Sequence, residues 1–224
     1  MTPPSPPLPL LYGIACADAL GAERVPEAVE AMAAGGVEWI QLRLKSGDDR
    51  TRCAVIEQSL RRLDGSAAQL WIDDRADLAA LYGLPGVHLG QHDLPPDEAR
   101  CVVPPTTRVG WSCHDSEQVA AADADPSVDV VAIGPVFATA SKQNPDPVVG
   151  LDGVAAARRA TSKHLVAIGG LEAETVASVR AAGADTVVVL GALCRAGDAA
   201  AITASARRLA RALEGAERDR EVAS

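Results

Sequence analysis

The chain has 224 residues, of which 48% are hydrophobic and 23% are charged. This composition excludes a wholly disordered chain, and the length corresponds to one large domain or two small ones. The formal net charge of −9 argues against nucleic acid or an anionic membrane as the main partner, since both select a cationic surface. A local basic pocket for a small phosphorylated ligand is still compatible with this charge.

The two ends of the chain are expected to lie outside the folded domain. Residues 1–10 are rich in proline and lack the basic start of a signal peptide, which predicts a disordered leader. Residues 215–224 predict a charged tail, which leaves 11–214 as the folded domain. No apolar run reaches the roughly 18 residues of a membrane span. The five cysteines form no CxxC pair, which favours free thiols in a reducing cytoplasm over disulfides or a zinc site.

Between these ends, short apolar runs alternate with helical stretches, many of them rich in alanine. The predicted strands are 11–16, 37–45, 69–74, 86–91, 108–113, 128–137, 164–170 and 185–193. The predicted helices are 25–36, 48–63, 75–83, 95–103, 116–124, 150–160, 172–183 and 198–213. Gly36, Gly83 and Gly183 are placed to end three of these helices.

The predicted strands are almost continuously apolar, which is typical of strands buried on both faces. Eight strands alternating with eight helices predict an α/β fold, a single (β/α)8 TIM barrel. The alternative is an open doubly wound sheet. It is less favoured because the turn after the first strand, CADALGAERV, has no GxGxxG motif.

Polar residues at the carboxyl ends of the strands are candidates for the site, because barrels of this kind build their sites there. Gln41, Arg43 and Lys45 alternate with leucines, which places all three side chains on the face that points into the barrel mouth. Buried cationic side chains need anions. Those anions are either a bound phosphate or the carboxylates of Asp73 and Asp74 after the third strand.

Two carboxylates are expected to lie side by side, since Asp74 and Asp93 follow neighbouring strands. Mg²⁺ binds one or two protein carboxylates and completes its coordination with water and phosphate oxygens, so a magnesium site is one interpretation. The other interpretation is that each aspartate caps the helix that follows it.

Two glycine-containing turns follow the last two strands. Gly169 and Gly170 follow the seventh strand, and Leu190 and Gly191 follow the eighth. Many barrels bind a phosphate at these positions through backbone N–H groups. The alternative is that the glycines only allow tight turns.

The loop 138–150 is long, polar and interrupted by proline. Thr139, Ser141 and Lys142 fall within four residues, which favours a loop that closes over a phosphorylated substrate. A solvated surface loop is the alternative interpretation.

From about residue 11 to 213 the chain resembles the thiamine-phosphate synthase family. The matching motifs are QLRLK (41–45), DDRADLA (73–79), VHLGQHDLP (87–95), GWSCHDSEQ (110–118), GPVFATASK (134–142), VAIGG (166–170) and AAGADTVVV (181–189). Several of them are common individually, but their order and strand positions are specific together. The family condenses 4-amino-2-methyl-5-(diphosphooxymethyl)pyrimidine with a thiazole phosphate, which gives thiamine phosphate and pyrophosphate. The resemblance therefore implies a Mg²⁺-dependent transferase of thiamine biosynthesis.

The resemblance also implies roles for individual residues. Around the pyrimidine diphosphate it places Gln41, Arg43, Lys45, Asp73, Ser112 and Lys142, and it places Mg²⁺ on Asp74 and Asp93. Around the thiazole phosphate it places Thr139, Ser141, Gly170, Leu190 and Gly191. The catalytic residues it implies are Arg43, Lys45, Ser112 and Lys142. The family is described as forming a pyrimidine carbocation that the thiazole nitrogen captures, a route that needs no strong nucleophile from the protein.

Three positions depart from the family pattern. Asp73 stands where Asn is usual, Ser141 stands where the second Thr of Thr-x-Thr-Lys is usual, and Leu190-Gly191 replaces a segment that often has a small hydroxyl residue. The sequence leaves open whether Asp73 and Gly191 reduce activity and which form of the thiazole is used. It also leaves a homo-oligomer open, because surface and interface residues look alike in an alanine-rich chain.

Two other functions stay open. Thiazole tautomerases share the barrel and resemble this chain at GxSxH, where His114 would be the acid and base. That group usually lacks the QLR and GQxD motifs, and both are present here. The third interpretation is a catalytically inactive barrel that binds a phosphorylated metabolite.

Overall fold

The structure, a computed structural model, describes residues 8–139 and 146–222, with side chains described as far as residue 215. Eight parallel strands pair in chain order, and the last pairs with the first, so the sheet closes into a barrel. The (β/α)8 barrel predicted from the alternation of strands and helices is therefore confirmed. The strands are β1 (Leu11–Cys16), β2 (Trp39–Arg43), β3 (Gln69–Asp73), β4 (Gly86–Leu89), β5 (Arg108–Cys113), β6 (Val130–Ile133), β7 (His164–Ile168) and β8 (Thr186–Val189).

Helices follow the strands and pack on the outside of the barrel. They are α1 (Ala17–Leu20), α2 (Val25–Ala34), α3 (Asp49–Arg62), α4 (Ala76–Tyr82), α5 (Pro96–Val102), α6 (Ser116–Ala124), α7 (Gly150–Ala160), α8 (Val176–Ala181), α9 (Gly191–Cys194) and α10 (Ala199–Val222), with a 3₁₀ turn at Ala22–Arg24. Asp48 and Asp115 cap α3 and α6 by accepting N–H bonds of 2.8 Å. Gly36, Gly83 and Gly183 all have positive φ just after a helix, as predicted.

The last helix runs beyond the predicted end of the domain. It continues to Val222, past the boundary at 214 where the sequence predicts a charged tail. Of the predicted leader, residues 1–7 lie outside the described residues. The division into leader, domain and tail stays a prediction. Within the described ranges no helix has the length and apolar character that crossing a bilayer requires.

Aromatic side chains fill the inside of the barrel. Tyr12, Trp39 and Trp71 are buried there, and the two tryptophan rings lie 4.4 Å apart between centroids. Gly86 on the neighbouring strand leaves room for this packing, since a Cβ at that position would lie 2.2 Å from the ring of Trp71. Because these rings occupy the interior, the open space of the barrel lies at the carboxyl ends of the strands.

A buried histidine lies beside this aromatic cluster, at the start of β7. The ring of His164 packs against Trp39 at 5.5 Å, and its Nε2 lies 2.9 Å from the hydroxyl of Thr186. Burial disfavours the imidazolium and lowers the pKa of His164 to about 4. The folded protein therefore holds this histidine neutral at pH values where an exposed histidine is already protonated.

We expect His164 to make the fold sensitive to mild acid. Its pKa is lower in the folded than in the unfolded chain, so the unfolded chain binds the extra proton and the stabilisation falls as the pH drops from about 6.5 to about 4. The loss is roughly 3 kcal/mol. Urea unfolding of the wild-type protein and of His164→Gln, at several pH values across this range, measures it.

Other titrating groups act equally in both proteins, so the difference between the two stability curves isolates His164. The curve of the variant should be flatter over this range. Two parallel curves would show that His164 is not held neutral by the fold.

Candidate active site at the barrel mouth

A cavity of about 270 Å³ opens at the carboxyl ends of the strands, and every strand contributes at least one residue to its lining. The cavity has two different halves. Polar and charged side chains from β2 to β5 form one half, and glycine-containing loops after β6, β7 and β8 form the other. Apolar side chains such as Ile14 and Val166 line the cavity between them.

The charged half is centred on the carboxylate of Asp73 at the end of β3. Gln41 Nε2 lies 3.5 Å from Oδ1 of this carboxylate, while Arg43 Nε and Lys45 Nζ lie 3.6 and 3.2 Å from Oδ2. The alternation that runs through β2 and continues to Lys45, two residues beyond the strand, therefore places all three polar side chains against one acid. Burial raises the pKa of Asp73, whereas the charges of Lys45 and Arg43 act in the opposite direction. The buried salt bridge that the sequence offers as an alternative is present.

Asp74 continues this cluster towards the next strand. Lys45 donates a hydrogen bond to its carboxylate, and a hydrogen bond also links it to the side chain of Asp93. Burial and the nearby charge of Asp73 raise the pKa of Asp74 to about 6. The residue also has a φ of +61°, a conformation that aspartate tolerates better than most side chains and that occurs often at functional sites.

The two aspartates fit a divalent cation better than they fit helix capping. Helices α4 and α5 have no side-chain cap, so the capping interpretation of Asp74 and Asp93 is wrong. Instead, Oδ2 of Asp93 accepts the Gly90 N–H at 2.8 Å. Two acids in contact, one with a raised pKa, repel each other when ionised, and a cation relieves that repulsion. Among the described residues no cluster of three metal-ligating side chains occurs, so a Mg²⁺ ion here would draw its remaining ligands from water and substrate.

A residue that sequence reasoning missed also contacts Arg43. Asp18, just after β1, lies 3.3 Å from Nη1 of Arg43 and accepts a 2.9 Å hydrogen bond from the hydroxyl of Ser46. Asp18 thus ties the loop after β1 to the loop after β2 and holds the guanidinium from the outside. The available signal was an acidic residue just beyond the carboxyl end of a predicted strand.

Ser112 at the end of β5 lies on the same side of the cavity. Its hydroxyl is 2.9 Å from Nε2 of His88 on β4, and both residues line the cavity. Gly110 makes room for this histidine, because a Cβ there would lie 2.4 Å from Nδ1 of His88. His88 is a further cavity residue that the sequence analysis does not single out, although it lies within the motif VHLGQHDLP.

The glycine half of the cavity is shaped by close backbone approach. Gly169 and Gly170 have φ values of +112° and +65°, and a Cβ on Gly170 would lie 2.6 Å from the carbonyl oxygen of Ala138. Thr139 lines the cavity beside them. Ser141 and Lys142 lie outside the described residues, so their predicted contacts stay predictions.

The loop after β8 contributes a second group that sequence reasoning missed. Leu190 and Gly191 line the cavity as expected, and so does Arg195 at the end of α9. The Arg195 guanidinium donates to Oε1 of Glu172 at 2.7 Å, and Glu172 also lines the cavity. This contact joins the loop after β7 to the loop after β8, and neither Glu172 nor Arg195 belongs to a motif of the sequence.

His114, the candidate acid and base of the tautomerase interpretation, lines the cavity between the two halves. Its Nδ1 lies 2.8 Å from the carbonyl oxygen of Gly134 and 3.5 Å from the carboxylate of Asp146. These contacts hold the ring at the end of β5, next to the loop that follows β6.

Known proteins match this chain over most of its length. A family model described as thiamine monophosphate synthase matches residues 11–193. The chain is 47% identical over 190 residues to the thiamine-phosphate synthase of Koribacter versatilis, across 83% of this chain and 89% of that protein. It is 38% identical over 200 residues to the thiamine-phosphate synthase of Azorhizobium caulinodans, across 89% and 92%. A solved structure of thiamine phosphate pyrophosphorylase from Pyrococcus furiosus superposes with a TM-score of 0.81 at 26% identity, over 92% of this chain and 96% of that one.

The arrangement of the acids predicts how they titrate. In Asp73→Asn the pKa of Asp74 should fall below about 6, because the neighbouring negative charge is removed and Lys45 is left to pair with Asp74. Carbon-13 NMR titration of the aspartate carboxyl groups, in protein freed of divalent cations, measures this pKa. The exposed Asp64→Asn serves as the control and should leave it unchanged. A pKa of Asp74 that stays the same or rises in Asp73→Asn would contradict the arrangement.

Proposed function

Because this chain belongs to the thiamine monophosphate synthase family, we propose that its barrel mouth joins a pyrimidine diphosphate to a thiazole phosphate and releases pyrophosphate. The C–O bond between the pyrimidine methylene and the diphosphate breaks, and a C–N bond to the thiazole nitrogen forms. The observation that carries this proposal is the convergence of Arg43, Lys45, Asp74 and Asp93 at one rim of the cavity.

Departure of the diphosphate is the step that this cluster suits. Negative charge builds up on the leaving oxygens as the C–O bond breaks, and cations fixed beside those oxygens stabilise it. Arg43 and Lys45 supply two such charges, and acidic neighbours already hold both side chains in position. Lys142, outside the described residues, is proposed as a third.

Asp74 and Asp93 are proposed to hold Mg²⁺, which when bound would add positive charge next to the diphosphate oxygens. Asp73 is then the acid that keeps Arg43 and Lys45 extended towards this rim. Its position is the one where the family usually has Asn, and here its charge is matched by two cations within 3.6 Å.

The rest of the cavity is proposed to position the two substrates and to exclude water. Gln41 and Ser112, with His88 behind the hydroxyl, offer hydrogen bonds to the pyrimidine. Thr139, with Ser141, Gly170, Leu190 and Gly191, is proposed to hold the thiazole phosphate. A carbocation intermediate would react readily with water, so the apolar lining between the two halves protects it until the thiazole nitrogen attacks.

The synthase function is favoured over the tautomerase because the residues that tautomerases usually lack are part of the cluster. The QLR residues contact Asp73, and the aspartate of GQxD contacts Asp74. None of the described residues that line the cavity specifically favours an inactive binding protein.

Mixing the protein with both phosphorylated precursors and Mg²⁺ should release pyrophosphate and form thiamine phosphate. Asp93→Asn should abolish the Mg²⁺-dependent turnover with little effect on the fold, because the remaining Oδ oxygen can still accept the Gly90 N–H. Turnover of each folded molecule and the melting temperature are both measured. Absence of pyrophosphate release from wild-type protein would refute the synthase function, whereas full turnover by Asp93→Asn would refute only the metal assignment.

Arg43→Ala should raise the KM for the pyrimidine diphosphate at least tenfold, since a hydrogen bond between charged groups contributes on the order of 1.5–3 kcal/mol. The KM for the thiazole phosphate should change much less, because Arg43 lies in the charged half of the cavity. Steady-state kinetics with each substrate varied in turn gives both values. Equal increases in the two KM values would count against the placement of the pyrimidine site.

A further inference from the structure

The glycine half of the cavity contains, among the described residues, one cationic group to which the reaction described so far gives no role. Arg195 lines the cavity at the end of α9, the short helix that begins at Gly191. Among the described residues that line the cavity, Arg43 and Arg195 are the arginines, and no lysine joins them. Arg43 lies in the charged half between the acids Asp18 and Asp73, so among these residues Arg195 is the cation available to the other half.

The position of this guanidinium depends on the glycine one turn before it. A Cβ on Gly191 would lie 2.3 Å from Nη1 of Arg195, which is too close for both to stay in place. The atom that would have to move is the far end of a flexible side chain, so a larger residue at 191 could be accommodated by displacing the guanidinium. The φ angle of Gly191 is not positive, so the backbone conformation at this position does not by itself require a glycine.

Glu172, from the loop after β7, holds the guanidinium on the cavity side. Its carboxylate lies 2.7 Å from Nη2 of Arg195, while Nη1 is directed towards Gly191. A guanidinium carries five N–H donors, so it can bind Glu172 and a second anion together. The Arg195 side chain is 66% exposed, which means that the Glu172 pair by itself contributes little to folding stability.

We propose that Arg195 binds the phosphate of the thiazole substrate, and that residue 191 is glycine because the guanidinium needs that space. The proposal rests on the synthase function, and it deepens that function by assigning a residue to the second substrate. It also accounts for the departure at Leu190-Gly191. At this position many relatives provide a side-chain hydroxyl. This chain instead provides the guanidinium of Arg195, a charged group with several N–H donors, in the space left by the missing Cβ of Gly191.

Arg195→Ala should raise the KM for the thiazole phosphate roughly tenfold and leave the KM for the pyrimidine diphosphate and kcat nearly unchanged. Arg195→Lys keeps the charge but loses the planar set of N–H donors. Its KM for the thiazole phosphate should lie between those of the wild type and Arg195→Ala. The matched control is Arg62→Ala on the outer surface, which removes an exposed arginine that is likewise paired with a glutamate, Glu30. It should leave both KM values unchanged.

The link between Arg195 and Gly191 is tested by a double-mutant cycle. Gly191→Ala should raise the KM for the thiazole phosphate by displacing the guanidinium. In Arg195→Ala the same Gly191→Ala substitution should then add little, because the group it displaces is already gone. Independent effects that multiply in the double variant would overturn the role given to Gly191.

A binding measurement keeps this proposal separate from the synthase function. With Mg²⁺ and pyrophosphate present to fill the charged half, inorganic phosphate should raise the melting temperature of wild-type protein and of Arg62→Ala, and should do so much less for Arg195→Ala. If the wild type makes thiamine phosphate but the KM for the thiazole phosphate is the same in Arg195→Ala, the proposal fails and the function stands. If the wild type makes none, the function fails, and the phosphate titration still decides whether Arg195 binds phosphate.

Discussion

The carboxylate of Asp73 organises the barrel mouth, because it is the buried acid against which Gln41, Arg43 and Lys45 are all placed. A guanidinium and an ammonium only two residues apart on the same side of the chain would repel each other and turn outwards. A shared anion between them makes it favourable for both to point inwards. Asp74 and Asp18 extend this pairing on either side, so each cationic group at the rim has at least one acidic partner.

This balance explains how one small cavity serves two anionic substrates. In the charged half, the cations Arg43 and Lys45 are paired with acids. A bound diphosphate can take the place of these acids as the partner of the cations, and a divalent ion can bind beside them. The other half is shaped by backbone approach at Gly169 and Gly170 and carries the guanidinium of Arg195. In the proposed arrangement the two halves recognise different anions, which keeps the leaving diphosphate away from the phosphate that must stay bound. The apolar lining between them is where the new C–N bond is proposed to form.

The sequence predicted the barrel well because each strand and helix has a local signature. The bounds of β1 and β5 agree with the prediction to the residue. The predicted sixth strand, 128–137, is too long. The β6 ladder stops at Ile133, and Pro135, which has no N–H to donate, follows in the chain. The predicted helix 172–183 is likewise longer than α8, Val176–Ala181, because Glu172 and Thr175 form a turn of their own before it.

The sequence predicted the site only in part, and the missing part has a physical reason. Gln41 and Arg43 share β2 and Lys45 follows two residues later, so their alternation places them together, and the strand order brings Asp73 beside them. Contacts between two loops leave no such pattern. Asp18 meets Arg43, and Arg195 meets Glu172, only because the closed barrel brings together loops that are distant along the chain.

The aromatic side chains inside the barrel determine how substrates enter the cavity and how products leave it. Tyr12, Trp39 and Trp71 occupy the interior below the cavity, so these side chains block the barrel there and no channel runs through it from end to end. Both reactants then enter, and both products leave, by the same opening. A new pair of reactants must wait until that opening is cleared, so the order in which the products depart sets the order in which the next cycle can begin.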